Sequence, residues 1–208
     1  EKKFIIKALN DYDVATFLEK QLEKAGVSSV TIQKTPIATR ILIDVRKPGM
    51  VVGKKGASIK ELNELLTRDY GIENPQIEVS EVAVPSLDAK LMAEKVGKTI
   101  EIKGNAKQAI RMGLKEIMSA GALGAEVICG GKIVGKGGKA KTIKVRDGYL
   151  KKSGHSMKLV KKAKYTAHTK SGAIGVVVKI LHPGAVFEDQ VKIDTILAKQ
   201  AATQAKED

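Results

Sequence analysis

Between residues 11 and 25, apolar positions recur every three to four residues, so Val14, Phe17, Leu18, Leu22 and Ala25 share one side of a helix. Asn10 or Asp11 can cap that helix and Gly26 can stop it. The period then falls to two. Runs over 29–35 and 38–45 read as strands on either side of Pro36, with Ile41, Ile43 and Val45 alternating with Leu42, Asp44 and Arg46. A helix follows over about 57–70, with Ile59, Leu62, Leu65 and Leu66 on one side and Gly71 at its end. Asn74-Pro75 opens a third strand over 76–83, where Ile77 and Val79 point inward.

Pro85-Ser86 marks a boundary, and Ser86 is placed to cap a helix over 87–98. A stronger helix is predicted over 106–120 behind Asn105, with Ala106, Ala109, Ile110, Gly113, Leu114, Ile117 and Met118 as its buried stripe. Strand patterns then occupy 126–129, 142–145, 159–169 and 174–181, separated by glycine-rich turns. From His182-Pro183-Gly184 onward the core pattern is lost, and residues after about 198 read as a polar tail. The pattern predicts a mixed α/β (α+β) protein of two domains, 1–86 and 87–182, with a partly flexible extension over 183–208.

Composition narrows the chemistry. Hydrophobic residues make up 43% of the chain but aromatics only 3%, so aliphatic side chains must do the packing. Cys129 is the one cysteine, which excludes an intrachain disulfide and, with three scattered histidines, leaves no zinc-ligand spacing. The Val127-Ile128-Cys129 run reads as strand, so Cys129 is expected to be a small buried residue. His168 is likewise expected to be a satisfied structural histidine. No run reaches the roughly 20 apolar residues of a membrane span. The N-terminal residues lack a signal-peptide core, so a cytoplasmic protein is expected, and the missing Met suggests processing or truncation there.

Charge changes the picture more. The net charge is +14, and residues 1–87 carry 13 basic against 12 acidic residues. The excess therefore lies behind them: within 132–170 there are 13 basic residues and a single acid, Asp147. So local an excess wants a polyanion, and nucleic acid fits better than a membrane surface, because the stretch has no Trp/Phe/Leu face. The candidate RNA-binding residues there are Lys132, Lys136, Lys139, Lys141, Lys144, Arg146, Lys151, Lys152, Lys161, Lys162 and Lys164. Lys107, Arg111 and Lys115, spaced by four, add a row on the 106–120 helix.

Val51-Val52-Gly53-Lys54-Lys55-Gly56-Ala57-Ser58-Ile59 places two lysines between two glycines just before a helix. Glycine lets a backbone press against another chain, and a helix N-terminus offers free N–H groups to phosphate. Gly53, Lys54, Lys55 and Gly56 are therefore candidate RNA contacts, although a Gly-x-x-Gly alone also suits an ordinary turn. Gly130-x-x-x-x-Gly135-Lys136-Gly137 comes near a P-loop, but Gly137 stands where a P-loop needs Ser or Thr for magnesium, and a strand pattern follows. No Ser/His/Asp or Cys/His arrangement supports catalysis, and neither a metal nor a cofactor is expected.

The element order over 11–84 resembles a type II KH domain. Three further stretches, Ser86-Leu87-Asp88-Ala89-Lys90-Leu91-Met92-Ala93-Glu94, 118–127 and 167–180, resemble successive signatures of the small-subunit ribosomal protein S-three family. The Lys132–Gly154 stretch is closer to archaeal and eukaryotic members than to bacterial ones. The resemblance implies a non-enzymatic constituent of the small-subunit head, bound to rRNA beside the channel through which mRNA enters. Its implied neighbours are ribosomal proteins S-ten and S-fourteen. In bacterial relatives, basic residues on the long second-domain helix line that channel and help to unwind mRNA. Those positions fall here on Lys107, Gln108 and Arg111, and Gln108 replaces a family arginine. The alternative without the second-domain signatures is a free-standing KH-type RNA-binding regulator.

Overall fold

A computed structural model describes residues 1–35, 38–53, 56–72, 74–133 and 139–185. Contacts divide the chain between Lys95 and Val96.

In the first unit, α1 (Lys2–Gln21) is followed by β1 (Val27–Lys34), β2 (Thr39–Val45), α2 (Pro48–Val52), α3 (Ala57–Tyr70) and β3 (Pro75–Glu81). The strands lie in the order β1-β2-β3, with β1 antiparallel and β3 parallel to β2. Ile41, Ile43 and Val45 of β2 meet Val14 and Leu18 of α1 and Leu62 and Leu66 of α3 in one buried cluster. The Phe17 and Tyr70 rings close its edge, tilted with centroids 5.5 Å apart.

Helix α1 begins nine residues before its predicted start. Phe4, Ile5, Ile6 and Leu9 are exposed, Phe4 at 78%, so no buried stripe announced this segment. It forms because, once the packed part is nucleated, each added residue gains a hydrogen bond and no Gly or Pro intervenes. Helix α2 was also missed. Its five residues are too few for a periodic signal, yet Pro48 suits its first turn and Val51 is fully buried.

Helix α4 (Ala89–Lys103) crosses the division between the units and runs five residues beyond its predicted end, stopping before Gly104. Its cap is not Ser86, which lies in a 3-10 turn, Pro85–Leu87. Asp88 caps it instead: Oδ1 accepts the N–H groups of Lys90 at 2.7 Å and Leu91 at 3.3 Å, and Oδ2 accepts the Ser28 hydroxyl. A carboxylate two residues nearer the helix satisfies two of its free N–H donors.

In the second unit, α5 (Ala106–Ser119) follows the Asn105 cap as expected, with Asn105 Oδ1 accepting the Gln108 N–H at 3.3 Å. The strands are β4 (Gly124–Gly131), β5 (Lys141–Gly148), β6 (Val160–Thr169) and β7 (Gly172–Leu181). They form an antiparallel sheet in the order β5-β4-β7-β6. Val127, Cys129, Ile174, Val176, Val178 and Ile180 are buried on one face, together with Ile110, Leu114 and Ile117 of α5. Gly97 of α4 has no room for a side chain, because a Cβ there would lie 2.1 Å from the Tyr165 ring. The helices thus cover one face of the sheet, and Tyr165 is committed to that face.

Candidate nucleic-acid interface

The Gly-x-x-Gly turn joins α2 to α3. Gly53 has φ 70° and ψ −174°, and Gly56 has φ 76° and ψ 14°. A Cβ on Gly53 would also lie 2.3 Å from Ser58 Oγ, so glycine is demanded there by both conformation and space. Lys54 and Lys55 lie outside the described residues, as do Lys136 and 186–208.

On α5, Lys107, Arg111 and Lys115 are exposed opposite the buried stripe, with Gln108 and Met112 between them. Met118 is only half-buried. None of the three cations has a carboxylate partner among the described residues.

Strand register sorts the remaining cations. Arg146, Glu126, Lys179 and Lys162 pair in register across the whole sheet and so share the face opposite the helices. The next row on that face is Lys144, Ile128, Val177 and Lys164. Lys141 and Lys161 fall on the other face at the sheet margins, Lys161 opposite Ile180. Lys132 and Lys139 are exposed just beyond β4 and before β5, Lys152 is exposed after β5, and Lys151 is half-buried. The sequence-predicted set is therefore not one patch. Two-residue alternation and a two-layer unit send its members to opposite outer faces, α5 on one side and the open sheet on the other.

Sequence reasoning passed over Glu126. It is fully buried, and its carboxylate bridges two ammonium groups, with Lys144 Nζ 2.9 Å from Oε1 and Lys179 Nζ 2.9 Å from Oε2. Burial alone pushes this carboxyl up, but the Lys179 and Lys144 ammoniums outweigh that and hold it below the ordinary value. Lys144 is thus ion-paired within the fold. Arg146, Lys162 and Lys164 have no carboxylate partner among the described residues. A glutamate flanked by apolar strand residues was the one available signal.

Other candidate chemistry recedes. Cys129 is buried in β4, and burial pushes its thiol up to about 11, which leaves it unreactive. The His168 side chain is exposed, contrary to expectation. It is the backbone N–H of His168 that is held, by Glu101 Oε1 at 2.8 Å, because β6 is an edge strand with a donor left over. The P-loop-like stretch leads into β5, a strand, so no helix N-terminus follows it. No group of three or more potential metal ligands occurs among the described residues, and no helix there is long and apolar enough to cross a membrane.

Family models match both units: the KH domain over residues 13–102 and the C-terminal domain of ribosomal protein S3 over 96–180. The chain is 41% identical to small ribosomal subunit protein uS3 of Methanocorpusculum labreanum, over 93% of this chain and 83% of that one. The chain belongs to the uS3 family. The uS3 protein of Methanocaldococcus jannaschii is 39% identical over 93% of this chain and 92% of its own. That of Methanococcus aeolicus is 35% identical over 100% and 99%. Membership in the uS3 family makes this chain a structural constituent of the small ribosomal subunit rather than an enzyme, with a KH domain followed by the S3 C-terminal domain. A KH-bearing uS3 protein binds ribosomal RNA in that subunit.

Proposed function

We propose that the chain fixes small-subunit rRNA in the head of the cytoplasmic ribosome through the outer faces of its C-terminal unit, beside the channel through which mRNA enters. The carrying observation is that Lys107, Arg111, Lys115, Arg146, Lys162 and Lys164 are exposed without a carboxylate partner among the described residues. A surface meant only for solubility mixes both signs. Lysines at this density neutralise phosphates without reading bases. The α5 row faces away from the sheet, as a rim along an mRNA path requires, and S-ten and S-fourteen proteins are the proposed neighbours. Domains over 1–86 and 87–182 with an extension over 183–208 remain our reading of the organisation, supported by the 3-10 turn between β3 and α4.

The test is cosedimentation of the purified chain with small subunits, paired with rRNA binding across a salt series. We expect the affinity to fall steeply, with about one unit of log–log slope per neutralised phosphate. Salt-independent binding, or none, overturns the proposal. Gly53 and Gly56, both at positive φ and without side chains, support a second, smaller contact with a single strand.

A further inference from the structure

The face of the β5-β4-β7-β6 sheet opposite the helices has a charge layout of its own. Its cations sit mainly on the two edge strands, with Arg146 on β5, beside the ion-paired Lys144, and Lys162 and Lys164 on β6. Three strand spacings separate these columns, roughly 14 Å, and successive cations within a column are about 7 Å apart. Between them, β4 and β7 present Ile128, Val177, Gly130 and Gly175 in register. The central Lys179 shares the single negative charge of Glu126 with Lys144. The middle of the face is therefore lined by glycine and aliphatic residues, and its one cation is ion-paired.

Its second feature is chemical. Sheets that read single strands do so by stacking bases on aromatic side chains. No Phe, Tyr or Trp points from this face: the one aromatic of its strands, Tyr165, pairs in register with buried Val176 and lies against Gly97 on the helix side. A single strand would find charge here but stacking planes only at the edges, the exposed His168 imidazole on β6 and the Arg146 guanidinium on β5, and none across the centre.

We propose that this face is a platform for double-stranded RNA, its edge columns meeting the two backbones that border the wide, shallow groove of an A-form helix. The glycine and aliphatic centre lies against the groove floor, where 2′-hydroxyls are displayed. Thr142 and Thr166, in register with Gly130 and Gly175, supply hydroxyl partners at one end of the face. Glu126 acts as a positioning residue: its carboxylate is ion-paired with Lys144 and Lys179, while Arg146, in register with it, has no carboxylate partner among the described residues and is available to phosphate. This rests on the RNA-binding reading above and adds to it the form of RNA and the face that takes it.

The test uses the full chain and two probes: a blunt RNA duplex of about 16 base pairs and a poly-uridine strand with the same number of phosphates. Lys162→Glu with Lys164→Glu is expected to cost the duplex about tenfold or more in affinity and the single strand less than about threefold. The same charge change at Lys20 and Lys24, in the other unit, should cost either probe less than about threefold. Should the reversed pair not fold by circular dichroism, Lys162→Gln with Lys164→Gln must still weaken duplex binding selectively. Equal losses on both probes, or a control as damaging as the test pair, overturn the proposal. So does unchanged duplex affinity together with lost assembly into small subunits, which would mark the face as a protein contact. A chain that binds small-subunit rRNA but not the duplex sinks this inference alone, whereas binding to neither sinks the RNA reading as well.

Discussion

Glu126 concentrates the electrostatics of the second unit in one side chain. A buried carboxylate is tolerable because two ammonium groups meet it, and removing one partner of such a set costs more than the pair adds. Lys144 is 45% exposed and Lys179 23%, so solvent screens part of the interaction. Glu126→Gln should therefore lower stability at neutral pH by about 1–3 kcal/mol, read by urea denaturation. Because the folded carboxyl lies below its ordinary value of 4.5, its contribution is complete above that value and is lost as the pH falls through the folded one. The gap between wild type and Glu126→Gln should thus close in acid. A gap that widens there contradicts the ion-pair account. Asp44, which accepts from Ser29 Oγ at 2.5 Å and Ser80 Oγ at 2.8 Å, is lowered in the same direction by those two bonds.

At the scale of elements, helix α4 lies tight against the sheet where Gly97 meets Tyr165. Gly97→Ala adds a methyl group where the ring already stands, and such overpacking costs about 1–3 kcal/mol. Alanine's helix preference of about 1 kcal/mol offsets only part of it. A net loss of stability in thermal or chemical unfolding is expected, and a stabilised variant would show that the ring moves aside freely.

Elements with one covered face were legible before any coordinates: α3, α5, β2 and β7 follow their apolar spacing closely because burial itself writes that spacing. Segments not held by burial were illegible in proportion. The first half of α1 is exposed, α2 is one short turn, and the cap of α4 depends on which of two polar residues reaches the free N–H groups. The candidate site was legible as an inventory of cations. Its sorting onto α5 and the open sheet required strand register, which spacing within a single strand does not contain.

For the whole molecule, charge imbalance sets the expectation. Residues 132–170 carry 13 basic residues, while the KH turn offers Lys54 and Lys55. Reversing Lys54 and Lys55 to Asp should therefore weaken rRNA binding less than neutralising Lys139, Lys141, Lys144, Lys162 and Lys164 together, with the salt slope falling by several units only in the latter. Filter binding at two or more salt concentrations measures both. The opposite ranking would make the KH turn the principal contact.

By itself, the sequence determined family, element types, the order of the two units and the location of the positive excess, since each is carried by local spacing or by a count. Only the tertiary structure decided which cations share a face, which face the helices leave bare, and that Glu126 holds two lysines inside the fold. Those outcomes depend on strands brought side by side from distant parts of the chain. Alternation fixes that neighbours point opposite ways, but packing chooses which way is in.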